Sequence, residues 1–395
     1  MVAYRTRIAR RTPMNRTPAA PHSADEIVLA LRENCAREFD DARAMPPAVY
    51  TSDAFLERER QTIFRDEWLC VGRAGALANP GDYLTADLGG QPVAVLRSED
   101  GTLRAFSNVC LHRMSVLLEG RGNVRRIVCP YHAWNYSLDG RLQGAPLMDR
   151  QAGFCKEAYA LPAVRCEVWQ GWIYLTLNDA APPVAAQLAE LDALIARYGM
   201  GDYVETFHEE HVWDTNWKLL AENFMESYHL PMLHRATVGP HSKLDEMECP
   251  PGLPAFNHHW ITKEATLPIG NAHPDNRRLE GHWRRTTALL AIYPNHLVTL
   301  TPGYFWYLVL QPLGVDRVAI RFGGGLSPEF IDDPDAAGHM ATLKALLDEV
   351  NAEDRRGVEA VFRGVRAPLA APGHLSHLER PNYDFARYLA ARVGA

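Results

Sequence analysis

The sequence predicts an α+β chain in two units, an all-β unit over residues 50–165 and a larger α+β unit with an antiparallel sheet over residues 166–395. Three observations carry this. The chain has 395 residues, more than a single domain usually holds. After Asn79-Pro80-Gly81 its texture changes from helical spacing to short alternating runs cut by Gly-Gly and Asp-Gly. From Pro182 onward helical stretches return, interleaved with longer strands.

The opening MVAYRTRIARRTPMNRTPAAPH holds five arginines and no acid. It is similar to an organellar transit peptide, but the preferred reading is a disordered basic tail over residues 1–22, with Met14 as an alternative start. In the segment 23–49, Ser23-x-x-Glu26 is a capping box for a helix through IVLALRENCAREF. SDAFLERERQTIFRDEW sets Phe55, Leu56, Ile63, Phe64 and Trp68 on helical spacing. DYLTADLGGQPVAVLRSEDGTLRAF reads as antiparallel hairpins, and VRCEVWQGWIYLTLN as a strand pair broken at Gly171. Further on, HEEHVWDTN, HHWITKEATL, HLVTLTPGYFWYLVLQPL and RVAIRFGGG read as strands. WKLLAENFMESYHL and PDAAGHMATLKALLDEVNAEDRRGVEAVFRGV read as helices.

With 47% hydrophobic and 23% charged residues the chain can bury substantial cores. A formal charge of −7 argues against a nucleic-acid partner, which would need basic surface. No apolar run approaches the length of a membrane span. Cys35, Cys70, Cys155, Cys166 and Cys249 are scattered and build no disulfide framework, which fits a reducing cytoplasm.

The other two cysteines lie in CLHRMSVLLEGRGNVRRIVCPYH, as Cys110-x-His112 and Cys129-x-x-His132. A structural Cys2His2 zinc site is the plain competitor, but zinc ligands usually come as a cysteine pair and a histidine pair. Here each loop brings one thiolate and one imidazole. That mixture suits a Rieske [2Fe-2S] cluster, with two cysteines on one iron and two histidines on the other.

These four residues, with Pro130, Tyr131 and Trp134, resemble the Rieske loops of the Rieske non-haem iron oxygenase α subunits. Respiratory-type Rieske proteins carry an extra cysteine in each loop; this chain has Leu111 and Tyr131 inside its pairs instead. The resemblance implies a Rieske [2Fe-2S] domain joined to a helix-grip-like catalytic domain, the N-terminal helix belonging to the latter. It covers roughly residues 45–395.

A second constellation lies in NWKLLAENFMESYHLPMLH. On a helix, Glu222, Glu226 and His229 would share one stripe, and the two carboxylates would repel unless something positive lay near. His229 and His234 would not converge on a straight helix, but Pro231 should bend or end it near His229. Two histidines and a distant carboxylate form the facial triad of non-haem Fe(II) oxygenases. Asn216-Trp217-Lys218, Glu222-Asn223, Glu226, Tyr228-His229 and His234 resemble the family's catalytic helix. By that resemblance His229 and His234 are iron ligands, and Asp354 is the third, with Glu353 its neighbouring alternative. Asn223 and Glu226 are implied as catalytic-site residues. The family usually has Asp where Glu226 stands, bridging the cluster of one subunit to the iron of the next. The longer carboxylate resembles the carnitine and related quaternary-amine subgroup. His208, His211, His241, His258, His259, His273 and His282 have no ligand-like company.

No Gly-x-Gly-x-x-Gly turn and no plant-type ferredoxin spacing occurs, so electrons from NAD(P)H must come through a separate reductase of ferredoxin or flavin type. The resemblance implies a homotrimeric terminal oxygenase that uses O2 to monooxygenate or N-demethylate a small polar substrate. Hydroxylation or dihydroxylation of an aromatic acid is the alternative, and an electron carrier using only the cluster a weaker one. The expected pocket draws on Asn223, Phe224, Met225, Leu230, Tyr304, Phe305, Trp306 and Tyr307.

Overall fold

The computed structural model describes residues 23–262 and 268–394; the basic segment 1–22 lies outside the described residues. Strands β1 (Leu69–Arg73), β2 (Asp82–Leu88), β3 (Gln91–Arg97), β4 (Leu103–Ser107) and β5 (Arg121–Asn123) are followed by a small sheet of β6 (Ile127–Val128), β7 (Asn135–Tyr136) and β8 (Leu142–Gly144). With β9 (Ala163–Trp169) and β10 (Trp172–Thr176), the first five form an antiparallel sheet in the order β1-β10-β9-β4-β3-β2-β5. The turn between β2 and β3 shows why glycine is needed there. Gly89 and Gly90 have φ of 62° and 97°, the two left-handed residues of a tight hairpin. A Cβ on Gly89 would also meet the Arg60 carbonyl oxygen at 2.5 Å.

The second sheet is wholly antiparallel, in the order β11-β17-β16-β15-β14-β13-β12. Its strands are β11 (Val204–Trp213), β12 (Met247–Glu248), β13 (Phe256–Thr262), β14 (Thr286–Ile292), β15 (His296–Leu300), β16 (Tyr304–Gly314) and β17 (Arg317–Leu326). Both faces are covered, and alternate residues of β16 divide between them. Leu308 and Leu310 enter a core with Trp217, Leu220, Phe224, Leu347, Phe362 and Phe385, from the helices Trp217–Met225, Ala336–Val365 and Arg380–Arg392. Phe305, Tyr307 and Val309 enter a second core with Trp172 and Tyr174 of β10. The α+β class expected from the sequence is the class found.

The N-terminal helix Ala24–Cys35 forms the expected capping box between Ser23 and Glu26. It buries Ile27, Val28 and Leu31 in the same core as Phe385 and Leu389. Arg321 of β17 ties the two sheets together, donating from Nη1 to the Val71 carbonyl at 2.6 Å and from Nη2 to that of Thr85.

The helix Asp53–Thr62 is pinned to Trp217–Met225 by an ion pair out of reach of water. Lys218 Nζ lies 2.9 Å from Glu59 Oε2, with the side chains 1% and 0% exposed. Trp217 Nε1 donates to the same oxygen at 3.3 Å, and Glu59 Oε1 has no partner among the described residues. Lys218→Met should therefore cost about 3–5 kcal/mol, since it strands a buried carboxylate. The double variant Lys218→Met/Glu59→Leu should recover most of that loss. Chemical denaturation of the three proteins checks both; a Lys218→Met loss under about 1 kcal/mol would contradict the assignment.

Candidate metal centres

The two cysteine loops share one backbone design. Each ends with an N–H returning to the cysteine carbonyl at 3.0 Å, Met114 N to Cys110 O and Ala133 N to Cys129 O. Met114 and Ala133 pay for this with left-handed φ of 55° and 58°, a conformation uncommon for residues with a Cβ. The loops sit on a core of Leu96, Phe106, Leu117, Ile127, Trp134 and Tyr136. Cys110 and Cys129 are 1% and 2% exposed, whereas His132 is exposed and His112 half-buried. The sulfur end is thus inside and the nitrogen end faces outward.

The side chains of these loops fit a cationic cluster. The His112 and His132 rings are 4.6 Å apart, and His112 stacks on Trp134 at 4.9 Å. His112 Nδ1 is buried with no hydrogen-bond partner among the described residues, a donor atom that a metal would satisfy. Burial pushes the Cys129 thiol up. The backbone N–H groups of Tyr131 and His132, with Cys110 and Ser115 beside it, outweigh that and hold it below the ordinary thiol range. Elsewhere burial wins: it pushes Cys70 and Cys166 up to about 12, and Cys35 and Cys249 up to about 11. The Tyr136 hydroxyl, 3.4 Å from Cys110 Sγ, adds a hydrogen bond at the other sulfur.

The second centre starts at the end of the helix Trp217–Met225. The residue spacing predicts that helix through Glu226 to His229, but Glu226 is already extended, at φ −123° and ψ 154°. The reason is a local cap. Glu226 Oε2 accepts from the backbone N–H of Tyr228 and from that of His229, the latter at 3.1 Å. Those bonds stabilise a break followed by a short helix, Leu230–Leu233, for which His229 is the first flanking residue. Pro231 sits inside its first turn, where a missing N–H costs nothing, so it starts a helix rather than ending one. The stripe of Glu222, Glu226 and His229 is therefore broken. Glu222 instead accepts from the Tyr50 hydroxyl, at 3.0 and 2.8 Å.

The break brings His229 and His234 together, with ring centres 5.1 Å apart. Asp354, from the long helix, completes a group whose donor atoms all lie within 4.8 Å of one another. Asp354 Oδ1 is 3.7 Å from His229 Nε2 and 3.1 Å from His234 Nε2. Each member is held from behind. Glu226 Oε1 lies 2.6 Å from His229 Nδ1, Glu353 Oε2 lies 2.8 Å from His234 Nδ1, and Asn223 Nδ2 donates to Asp354 Oδ1 at 2.8 Å. Thr237 Oγ1 donates to the same Glu353 oxygen at 2.6 Å. Burial works against charging His234, yet Asp354 and Glu353, one at each ring nitrogen, raise its pKa above the ordinary value. The donor set of two imidazoles and a carboxylate, each with an oriented outer partner, fits a divalent iron-type ion.

These groups open on a cavity of about 120 Å³. Its walls include Trp213, Phe224, Leu289, Tyr304, Trp306 and Leu308. Of the pocket residues expected from the sequence, Asn223, Phe224, Leu230, Tyr304 and Trp306 line it. Phe305 and Tyr307 point to the opposite face of β16, into the second core, and Met225 is packed in the first. One further contact has no signal in the sequence. His259 Nε2 lies 2.8 Å from Ser227 Oγ, and burial pushes the His259 pKa down to about 3. This histidine braces the chain between Glu226 and His229 as a neutral ring. His258, next along β13, contacts Phe256 and Trp260 instead.

Burial pushes the Glu222 carboxyl up to about 8, against the pull of Tyr50 and Lys218. A carboxyl whose pKa is raised on folding favours its neutral form. Its contribution is complete below the ordinary value of 4.5 and is lost as pH rises through about 8. Glu222→Gln keeps the Tyr50 contact without the charge. It should be about 1–3 kcal/mol more stable than wild type at pH 9, with the difference vanishing toward pH 5, as thermal melts at both would show.

Comparison with known proteins gives a consistent picture. Residues 67–163 match the family described as Rieske [2Fe-2S] domain, and residues 200–395 that described as ring hydroxylating alpha subunit, catalytic domain. The chain is 34% identical over 269 residues to the glycine betaine monooxygenase oxygenase subunit of Chromohalobacter salexigens, covering 65% of this chain and 60% of that one. It is 27% identical over 354 residues to the carnitine monooxygenase oxygenase subunit of Escherichia coli K12, covering 86% and 88%. In fold it is similar to the quaternary ammonium Rieske monooxygenase CntA solved with L-carnitine, with a TM-score of 0.76, 22% identity and coverage of 92% and 97%.

Proposed function

This chain belongs to the ring-hydroxylating oxygenase α subunits that carry a Rieske [2Fe-2S] domain, and on that premise we propose that it is the terminal oxygenase of a multicomponent monooxygenase or N-demethylase. Its cofactors are a Rieske cluster and a mononuclear iron. In this reading Cys110, His112, Cys129 and His132 hold the cluster, within residues 50–165. His229, His234 and Asp354 hold the iron, within residues 166–395. The observation that carries the reading is the convergence of that triad on an aromatic cavity, in a chain that also has the cysteine loops. A carrier of electrons alone would have no use for the triad.

When bound, the cluster supplies single electrons at about −150 to +300 mV and a ferrous ion supplies O2 activation. The chain's own residues set the conditions. Glu226 and Glu353 accept the Nδ1 protons of His229 and His234, which leaves both Nε2 lone pairs facing Asp354. Asn223 fixes the Asp354 carboxylate in rotation. Trp213, Phe224, Tyr304 and Trp306 line the cavity, an aromatic wall of the kind that can hold a quaternary ammonium by cation-π attraction.

The substrate class proposed is a small quaternary ammonium compound, by similarity to the carnitine and glycine betaine relatives. Electrons come from NAD(P)H through a separate reductase, and the assembly is a cytoplasmic homotrimer. One observation supports the docking of such partners. Met114 and Tyr131, beside the two cluster histidines, are 77% and 57% exposed, an apolar face suited to docking. Among the described residues no helix is long and apolar enough to cross a membrane. The test is O2 uptake with a surrogate reductase over carnitine, glycine betaine, choline and a set of aromatic acids. Uptake coupled to loss of a methyl group is expected with an ammonium compound. Coupled uptake with aromatic acids alone would move the activity to ring hydroxylation.

A further inference from the structure

The cavity beside the triad is lined by polar side chains that are mostly committed elsewhere. Asn223 donates to Asp354, Ser227 pairs with His259, Ser242 donates to the Val238 carbonyl at 2.8 Å, and Glu226 is taken by His229 and the backbone. Thr287 and Asn351 also line it and are only half-buried. Thr299 differs from all of these. It is 6% exposed, and its hydroxyl oxygen is buried with no hydrogen-bond partner among the described residues. Thr299 stands on β15 between Leu289 of β14 and Trp306 of β16, which face it across the ladder and line the same cavity. The surrounding wall is apolar, and valine has the same shape as threonine. A hydroxyl left unpaired at such a point is a loss to the fold that valine would avoid.

We propose that Thr299 is the specificity-determining group of this cavity, hydrogen-bonded to a hydroxyl or carbonyl oxygen carried by a compact substrate. The inference deepens the oxygenase reading by naming a chemical feature of its substrate, and it rests on that reading only for the assignment of this cavity. Among the described residues Thr299 Oγ1 makes no hydrogen bond to His229, His234, Asp354 or the groups that hold them, so it acts on selection rather than on metal binding. A hydrogen bond made only with the correct ligand is an efficient selector, because the analogue lacking the oxygen leaves the buried hydroxyl unpaired.

The test uses two matched pairs: choline against ethyltrimethylammonium, and benzyl alcohol against toluene. The pairs differ in body, cationic or neutral, and within each pair only the oxygen changes. Binding to the purified protein after incubation with ferrous iron is measured by calorimetry, without turnover. Wild type should prefer the oxygen-bearing member of at least one pair by about tenfold or more. Thr299→Val should erase that preference, and Thr299→Ser should retain it. Absence of any preference in wild type overturns the proposal, as does a preference that survives in Thr299→Val. Iron content and O2 uptake are recorded on the same samples. A protein that keeps the hydroxyl preference but holds no iron would refute the oxygenase reading alone; one that holds iron and consumes O2 without the preference would refute only the role of Thr299.

Discussion

Asp354→Ala is expected to abolish turnover while leaving the visible absorption of the cluster unchanged. Asp354 Oδ1 is the point on which both His229 Nε2 and His234 Nε2 converge, so its loss removes one of three donors and the negative charge between the other two. Iron affinity should fall by more than about a hundredfold, since even partners one layer further out are worth 10- to 100-fold. His229→Ala and His234→Ala should behave alike. His112→Ala and Cys129→Ala should instead bleach the absorption, because they act on a site built by a separate core of residues. Full activity with a full complement of mononuclear iron in Asp354→Ala would show that another group is the third ligand. Glu353 would then be the first to examine, although its carboxylate is already shared by His234 and Thr237.

Glu226→Gln should leave both metal sites filled and the cluster reducible by dithionite. Reoxidation of that cluster by O2 in the presence of substrate should nevertheless slow by orders of magnitude. Glu226 receives the His229 Nδ1 proton at 2.6 Å and caps two backbone N–H groups with its other oxygen. An amide can keep one of these roles but not both with the same charge-assisted strength. Its side chain stays 11% exposed, as the bridging role that the family resemblance assigns would require. Glu226→Asp tests reach, since it retains charge on an arm one methylene shorter. Near-wild-type reoxidation in Glu226→Gln, with both metals in place, would reduce Glu226 to a helix cap.

The parts of this architecture that were legible in the sequence are those written locally. The cysteine loops announce themselves within 23 residues, and the Gly89-Gly90 hairpin within two. His229 and His234 could be paired because Pro231 stands between them, though the helix breaks at Glu226 rather than near His229. That break depends on a side chain folding back on its own backbone, which hydrophobic spacing does not encode. The partners behind the triad were less accessible. Glu353 is 119 residues from His234, Tyr50 is 172 from Glu222, and His259 is 32 from Ser227. No periodic signal links positions so far apart, and only the packing of the long helix and of β13 against the break creates these contacts. The division of β16 between two cores likewise needed the sheet to be covered on both faces, which removed Phe305 and Tyr307 from the cavity.

Metal and sulfide analysis of the purified protein tests the central claim most directly. Two independent donor sets, one of two thiols with two imidazoles and one of two imidazoles with a carboxylate, require about three irons and two acid-labile sulfides per chain in a red-brown protein. Stoichiometric zinc without sulfide, in a colourless protein, would contradict it.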